Sequence, residues 1–196
     1  MKNYKKNIIA GVDEVGRGSW IGPVYSSAVI LNKNINKKIL KDSKKLSYEN
    51  RVKLSKYIKK NSIFAIGKAS LKEIEKLNIL GATLLSMKRA VLKLSKKPDL
   101  VLVDGNQSPI INNLKIKTIV KGDQINSSIS AASILAKVAR DQYIKTLSKK
   151  FKGYSWDTNF GYGTKKHRIA LKKLNITPHH RKTYKPIHNI LSKNLI

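Results

Sequence analysis

The stretch Asn7–Gly18, NIIAGVDEVGRG, joins a short apolar run to two adjacent acids and then to a Gly-Arg-Gly turn. The apolar run Asn7–Val12 predicts a buried strand that ends at Asp13 and Glu14. The glycines of Gly16–Gly18 then break the strand pattern. Because the chain holds 41 Lys and Arg but only 11 Asp and Glu, two neighbouring acids at the end of a strand indicate a functional site.

The length and composition indicate a globular protein with one well-buried core. The chain has 196 residues, of which 41% are hydrophobic, and it has no Cys, which excludes disulfides and thiolate metal sites. No apolar run approaches the roughly 20 residues that span a bilayer. The basic N-terminal residues are followed by an apolar run that Asp13 soon interrupts, which is not the pattern of a signal peptide. We therefore expect a cytoplasmic protein with no membrane partner.

The charge predicts a polyanionic partner. A formal net charge of +30 attracts nucleic acid above all. Only six of the 41 basic residues are Arg, however, so the excess of Lys also fits compositional drift in an AT-rich genome. Both interpretations stay open at this point, and a monomer is the expected state.

The order of predicted elements is that of an α/β domain with a mixed sheet. Four further segments read as strands, and the long run Ser128–Lys150, free of Gly and Pro, reads as a helix. The strands are Gly22–Leu31, Ser62–Ser70, Asp99–Gly105 and Lys115–Asp123. Residues 1–150 form this domain and residues 151–196 a mostly helical extension, which we expect to pack together as one compact unit.

Four acids, Asp13, Glu14, Asp104 and Asp123, fall at or just past the ends of predicted strands. Sites commonly form at strand ends in sheets flanked by helices. Several carboxylates together bind Mg²⁺ or Mn²⁺, and two such ions catalyse phosphodiester hydrolysis by activating water and stabilising the leaving oxygen. The pattern therefore predicts a metal-dependent nuclease site.

A purely structural role is a stronger alternative for some of these acids than for others. Asp104 and Asp123 each also fit an ordinary turn after a strand. The adjacent pair Asp13 and Glu14 is harder to explain structurally, because the two charges repel each other without a cation. Consecutive strand residues point to opposite faces, so both side chains reach one site only if the strand ends or bulges there, or if Glu14 uses its backbone carbonyl.

Eight stretches of the chain together resemble the type 2 ribonuclease H family, bacterial ribonuclease HII. The resemblance covers nearly the whole length. The stretches are GVDEVGRG (11–18), GPV (22–24), DSKKLS (42–47), LVDGN (102–106), VKGD (120–123), SAASILAKVARD (130–141), GYGT (161–164) and HRKTYKP (180–186).

The resemblance implies an RNase H-like mixed five-stranded sheet flanked by helices, with a C-terminal helical extension. It implies that Asp13, Glu14, Asp104 and Asp123 are catalytic residues that bind Mn²⁺ or Mg²⁺. It further implies hydrolysis of the RNA strand of RNA–DNA hybrids and nicking on the 5′ side of single ribonucleotides in duplex DNA. The products carry a 3′-hydroxyl and a 5′-phosphate, and the cellular role is removal of misincorporated ribonucleotides.

The resemblance also implies substrate-binding residues. The motif of Gly16, Arg17 and Gly18 reads the ribonucleotide 2′-OH, the group that separates RNA from DNA. Tyr162 stacks on the sugar of the following deoxynucleotide. The candidates for phosphate contacts are Lys44, Lys45, Lys121 and Arg181, each of which also fits plain solvated surface.

The chain departs from the family pattern in two places. Ser19-Trp20-Ile21 replaces the usual Pro-Leu-Ala, and Thr183-Tyr184 replaces a Ser-Phe pair. Neither removes a proposed metal ligand, so the expected effect is on local packing and affinity. Type 3 relatives carry Gly-Lys-Gly and a sizeable N-terminal domain, so Arg17 and the short lead before the first strand favour type 2.

Two other functions remain alternatives. A basic nucleic-acid-binding protein without catalysis would show salt-sensitive binding that ignores Mg²⁺. A different polynucleotidyl hydrolase on the same fold, such as a junction resolvase, would differ in substrate choice, because fold alone does not fix function.

Overall fold

The five predicted strands form one mixed sheet, as the sequence indicated. The structure, a computed structural model, describes residues 7–41 and 46–193. The strands are β1 (Ile9–Val15), β2 (Val24–Leu31), β3 (Ser62–Ala69), β4 (Leu100–Asp104) and β5 (Lys115–Ile119). Their order across the sheet is β3-β2-β1-β4-β5, so the strand that carries the acid pair is the central one.

The neighbours of β1 run in opposite senses. On one side β1 pairs antiparallel with β2, and Asp13 lies opposite Ser27. On the other side it pairs parallel with β4 as far as Val12 opposite Val103. The next register position therefore sets Asp13 beside Asp104, the last residue of β4.

Helices cover the sheet. In the part of the chain that the structure describes they are α1 (Lys38–Lys41), α2 (Tyr48–Lys60), α3 (Leu71–Leu92), α4 (Gly122–Ile125), α5 (Ser127–Lys150), α6 (Trp156–Asn159), α7 (Lys165–Leu174) and α8 (Lys185–Lys193). Helix α3 is interrupted at Asn78, whose φ is 57°. Helix α5 begins where Asn126 accepts hydrogen bonds from the N–H groups of Ser128 and Ile129.

Helix α5 lies directly on β1. A β-carbon built on Gly11 would come within 2.2 Å of the carbonyl carbon of Ser128, so only glycine permits this approach. The face of α5 against the sheet is built from small and branched residues such as Ala131, Ala132 and Leu135, all buried. This close packing fixes the distance between β1, which carries the acid pair, and α5.

The C-terminal segment shares a core with the sheet domain. Trp20 and Ile21 from the loop after β1 and Ile144 from α5 pack with Trp156 and Leu171. The loop that follows the acid pair is thus anchored partly by residues more than 130 positions later in the chain. Within the described residues, no helix is long and apolar enough to cross a membrane.

Candidate active site

The acid pair lies inside β1 and not beyond its end. The strand continues to Val15, because its antiparallel pairing with β2 extends to Val15 opposite Tyr25. The expectation that the strand ends at the acids was therefore wrong. Asp13 is buried and Glu14 half-buried, and one oxygen of Asp13 accepts a hydrogen bond from the N–H of Glu14 at 2.7 Å.

Burial, and then the charges of neighbouring carboxylates, raise the pKa of both members of the pair. Burial, followed by the charge of Glu14, raises the pKa of Asp13 well above its usual range, although a hydrogen bond from Ser133 opposes this in part. Burial also raises the pKa of Glu14, with the positive charge of Arg17 acting against it. The charge of Asp104 raises the pKa of both groups. The three carboxylates therefore act on one another despite the alternation of side chains along a strand.

Asp104 is the last residue of β4, where its side chain holds the turn into α4. One carboxylate oxygen of Asp104 accepts the N–H of Gly122 at 2.7 Å. A β-carbon on Gly122 would come within 3.3 Å of that oxygen and within 2.6 Å of Ile129. The glycine thus lets the turn approach Asp104, and the next residue, Asp123, follows directly.

Asp123 belongs to the first turn of α4. The strand expected to run to this residue ends at Ile119, because Lys121 takes a left-handed conformation with φ 55° and turns the chain. Asp123 is half-buried. The strand boundary was wrong, but the turn still directs the chain from β5 back past the end of β4.

The donor set fits a hard divalent cation. Within residues 7–41 and 46–193, no three His, Asp or Glu side chains are gathered closely enough to hold a metal ion as they stand. However, Asp13, Glu14 and Asp104 are oxygen donors whose charges repel one another, and Arg17 offsets only that of Glu14. A divalent cation among these oxygens would relieve that repulsion, and binding it requires the carboxylates to turn toward one another.

The Gly-Arg-Gly loop is connected to the acids by an ion pair. Nη1 of Arg17 lies 3.3 Å from a carboxylate oxygen of Glu14. Arg17 and Gly18 are exposed, whereas Gly16 is buried. A β-carbon on Gly18 would lie 4.0 Å from Cε1 of Tyr162, so the structure brings the loop and this tyrosine together.

Arg140 of α5 supports both the loop and Tyr162, and sequence reasoning missed it. Its fully buried guanidinium donates to the carbonyl oxygens of Phe160 at 3.2 Å and Ile21 at 3.3 Å. Cζ of Arg140 is 5.5 Å from the ring centre of Tyr162. The available signal was an arginine, one of only six in the chain, within the long predicted helix.

Arg181 is placed differently from the expected phosphate contact. Its side chain is fully buried, with Nε donating to the carbonyl oxygen of Gly22 at 2.9 Å and Nη1 donating to that of Arg17 at 2.8 Å. A buried guanidinium engaged in this way has no surface to offer to a phosphate. The prediction of a direct contact is therefore corrected, and Arg181 supports the Gly-Arg-Gly loop from inside.

Two buried histidines connect the Tyr162 loop to the segment that carries Arg181. The N–H of Thr177 donates to Nδ1 of His180, so the proton of His180 lies on Nε2 and faces Nε2 of His167 at 3.2 Å. Nε2 of His167 also accepts a hydrogen bond from Nε1 of Trp156. Nδ1 of His167 then donates to the carbonyl oxygen of Tyr162 at 3.0 Å.

The remaining predicted contacts are less constrained. Lys121 is exposed on the turn before Asp123, so its position is compatible with a phosphate contact. Lys44 and Lys45 lie outside the described residues. These phosphate contacts stay predictions.

The two departures from the family pattern meet around the same loop. The N–H of Trp20 donates to the carbonyl oxygen of Gly161 at 2.9 Å, and its own carbonyl oxygen accepts from the N–H of Arg181. The ring of Trp20 occupies the space where a β-carbon on Gly163 would lie, at 2.1 Å. The hydroxyl of Tyr184 donates to the carbonyl oxygen of Arg17. Both departures therefore support the Gly-Arg-Gly loop and its neighbours without altering the acids.

The fold and the site define a hydrolase of the ribonuclease H class. A family model described as Ribonuclease HII matches residues 10–188. The ribonuclease HII of Pelagibacter ubique (strain HTCC1062) is 64% identical over 184 residues, which cover 94% of this chain and 99% of that protein. The chain belongs to the ribonuclease HII family, and this membership indicates endoribonuclease activity on RNA–DNA hybrids.

Solved structures agree with this fold. The crystal structure of ribonuclease H2 from Pyrococcus horikoshii OT3 has a TM-score of 0.81 at 25% identity and covers 94% of this chain and 97% of its own. The crystal structure of Bst-RNase HIII in complex with Mn²⁺ has a TM-score of 0.68 at 16% identity and covers 97% of this chain and 71% of its own. The latter likeness concerns the fold alone.

Proposed function

We propose that this chain hydrolyses the RNA strand of RNA–DNA hybrids and also nicks duplex DNA on the 5′ side of a single embedded ribonucleotide. In the reaction, a water oxygen bonds to phosphorus, the bond from phosphorus to the 3′-oxygen breaks, and the leaving oxygen takes up a proton. The products are a 3′-hydroxyl and a 5′-phosphate. The cellular role that follows is removal of ribonucleotides from DNA.

The observation that carries the proposal is the ion pair between Arg17 and Glu14 at 3.3 Å. It joins the proposed reader of the 2′-OH to one of the proposed catalytic carboxylates. A ribonucleotide recognised at the loop is then held a fixed distance from the acids, which is the condition for cutting at one phosphate.

The proposed catalytic and metal-binding residues are Asp13, Glu14, Asp104 and Asp123. Their oxygens are the donors that Mg²⁺ and Mn²⁺ prefer, and Bst-RNase HIII, which shares the fold, binds Mn²⁺. When bound, two such ions supply activation of water and stabilisation of the leaving oxygen. The carboxylates would hold the positive charge of the ions in place, and the burial of Asp13 excludes competing solvent.

The Gly-Arg-Gly loop and its neighbour Tyr162 are the centre of the proposed substrate-binding surface. Gly16, Arg17 and Gly18 contact the ribonucleotide, and Tyr162, next to Gly18, stacks on the neighbouring sugar. Lys121 contacts the phosphate backbone together with Lys44 and Lys45, and the +30 charge of the chain draws the duplex in. The proposed nucleic-acid partner is a duplex that contains ribonucleotides, and we propose that the chain binds it as a monomer.

The test uses a DNA duplex with one embedded ribonucleotide, incubated with the protein and Mg²⁺, Mn²⁺ or EDTA, with the cut mapped at single-nucleotide resolution. We expect a nick immediately 5′ of the ribonucleotide with either metal and none with EDTA. Cleavage of long hybrids alone would contradict the single-ribonucleotide activity. Tight binding without any cut would favour a binding protein, and cutting of branched junctions alone would favour a resolvase.

A further inference from the structure

The peptide carbonyl of Arg17 is held from behind by two side chains of the C-terminal segment. Nη1 of Arg181 donates to this oxygen at 2.8 Å, and the hydroxyl of Tyr184 donates to the same oxygen. Nη1 of Arg181 also donates to the hydroxyl oxygen of Tyr184 at 2.8 Å. The three groups form a closed triangle, which we call the Arg17 clamp.

The base of the clamp is rigid. Arg181 is fully buried, and its Nε holds the carbonyl oxygen of Gly22 at 2.9 Å. The backbone N–H of Arg181 donates to the carbonyl oxygen of Trp20 at 2.8 Å. Among the described residues no carboxylate forms an ion pair with Arg181. The buried positive charge is therefore stabilised mainly by backbone carbonyl oxygens. The position of the Arg181 guanidinium consequently depends on the conformation of the loop that supplies those carbonyls.

The clamp controls what the loop presents to solvent. A trans peptide is planar, so its C=O and N–H groups point in opposite directions. With the carbonyl of Arg17 held inward, the N–H of Gly18 faces away from the protein body. Gly18 is exposed, and within the described residues no acceptor is hydrogen-bonded to its N–H. The clamp thus orients one backbone donor and, beside it, the side chain of Arg17.

We infer that Tyr184, where the family usually has Phe, is a positioning residue that increases the selectivity of this enzyme for single ribonucleotides. The inference rests on the proposed function of the Gly-Arg-Gly loop. Tyr184 does not touch the substrate; its hydroxyl fixes the Arg17 peptide, which does. A phenylalanine at this position keeps the ring beside Arg181, at 5.1 Å from Cζ to the ring centre, but leaves the carbonyl with one donor fewer.

The test compares Tyr184→Phe with wild type on two substrates, a duplex with one ribonucleotide and a long RNA–DNA hybrid. We expect kcat/KM on the single ribonucleotide to fall roughly three- to tenfold, the range that one hydrogen bond supplies, with less than about twofold change on the hybrid. The hybrid is spared because every nucleotide of its RNA strand offers a 2′-OH and a cut can form at many phosphates. The melting temperature should change little.

Tyr154→Phe is the matched control. The hydroxyl of Tyr154 also donates to backbone carbonyls, those of Leu174 and Asn175, but it does not contact the Gly-Arg-Gly loop. This variant should leave the ratio of the two activities unchanged. Equal losses on both substrates in Tyr184→Phe, as in a merely structural role, would overturn the inference.

Arg17→Ala separates failure of the inference from failure of the proposed function. If Arg17→Ala changes the ratio of activities but Tyr184→Phe does not, the inference fails alone. If neither changes the ratio, the proposed role of the loop fails with it.

Discussion

Gly16 lies directly against the side chain of Arg140. A β-carbon built on Gly16 would come within 2.2 Å of Nε of Arg140, and the φ of Gly16 is +92°. The loop that carries Arg17 can therefore close over α5 only because this position has no side chain. A buried arginine and a glycine from opposite parts of the chain are complementary in shape.

Gly16→Ala should accordingly displace the loop and lower stability. The left-handed backbone alone costs about 1–2 kcal/mol for alanine, and the clash with Arg140 adds roughly 1–3 kcal/mol. Urea unfolding would measure the loss. Gly105→Ala is the control, because Gly105 has a φ of +88° but no atom within 4 Å of a built β-carbon. Similar losses in both variants would show that the contact with Arg140 does not matter.

Asp104→Asn should abolish cleavage and preserve binding. Asparagine retains an oxygen that can accept the N–H of Gly122, so the turn into α4 survives while the charge needed for a cation is lost. We expect at least a hundredfold drop in kcat with Mg²⁺, an order of magnitude consistent with loss of a preorganised charge in an active site. Affinity for the hybrid, measured by fluorescence anisotropy, should stay within about threefold, since phosphate contacts supply most of it.

The control for this variant is Asp157→Asn, which removes an exposed acid of α6 and should leave cleavage unaffected. Full activity in Asp104→Asn would contradict the proposed metal site.

Arg17→Ala and Tyr162→Ala should each impair cleavage of single-ribonucleotide substrates more than cleavage of long hybrids. Arg17 is exposed on the Gly-Arg-Gly loop, the half-buried Tyr162 lies next to Gly18, and both are proposed to recognise one junction. We expect the ratio of kcat/KM values to shift about tenfold or more, the effect of losing contacts of roughly 1.4 kcal/mol. Initial rates on the two substrates, measured side by side, provide the check.

Arg89→Ala serves as the comparison for Arg17→Ala. Arg89 also pairs with a glutamate, Glu73, at 2.6 Å, but on helix α3. Arg89→Ala should leave the ratio of the kcat/KM values on the two substrates unchanged. A proportional loss on both substrates in Arg17→Ala would argue against recognition of the junction.

The stability of the protein should fall as the pH is lowered from about 6.5 to about 4, in part through His180. Burial, and then the charge of His167, lower the pKa of His180 to about 4, whereas an unfolded histidine titrates near 6.5. Between these values the unfolded chain carries the extra proton and the folded chain does not, so acidification favours unfolding. Above about pH 6.5 this contribution is fully present, and below pH 4 it is lost.

Urea unfolding at pH 7.5 and 4.5 would measure this contribution, expected to be on the order of 2–3 kcal/mol. His180→Gln removes the titrating ring and should flatten the difference between the two pH values. An unchanged difference in His180→Gln would assign the pH dependence to other groups.

Much of the fold could be predicted because its signals are local. The apolar run of α5 and the alternation of strands with helices are properties of neighbouring residues. The bounds of α5, Ser127–Lys150, differ by one residue from the expectation. The end of β1 was predicted wrongly because pairing with β2, a long-range interaction, carries the strand through both acids.

The supporting residues of the site were harder to predict because their partners are distant in sequence. Arg181 looked like a surface phosphate ligand, yet it bonds to a carbonyl 164 positions earlier. Likewise, His167 and His180 form a pair only after α7 has folded back onto the loop. Sequence patterns identified the acids and the loop, whereas the internal supports required three-dimensional contacts.

The position of β1 in the sheet has a consequence for local opening motions. The amides around Asp13 belong to the central strand and should exchange with solvent only when much of the sheet opens, whereas Asp123 follows β5, an edge strand, and sits on a helix of four residues. Asp13, Glu14 and Asp104 thus lie on interior strands of the sheet, whereas Asp123 alone follows an edge strand and should open more readily. When the carboxylates turn toward a cation, we therefore expect the backbone to adjust more around Asp123 than around Asp13.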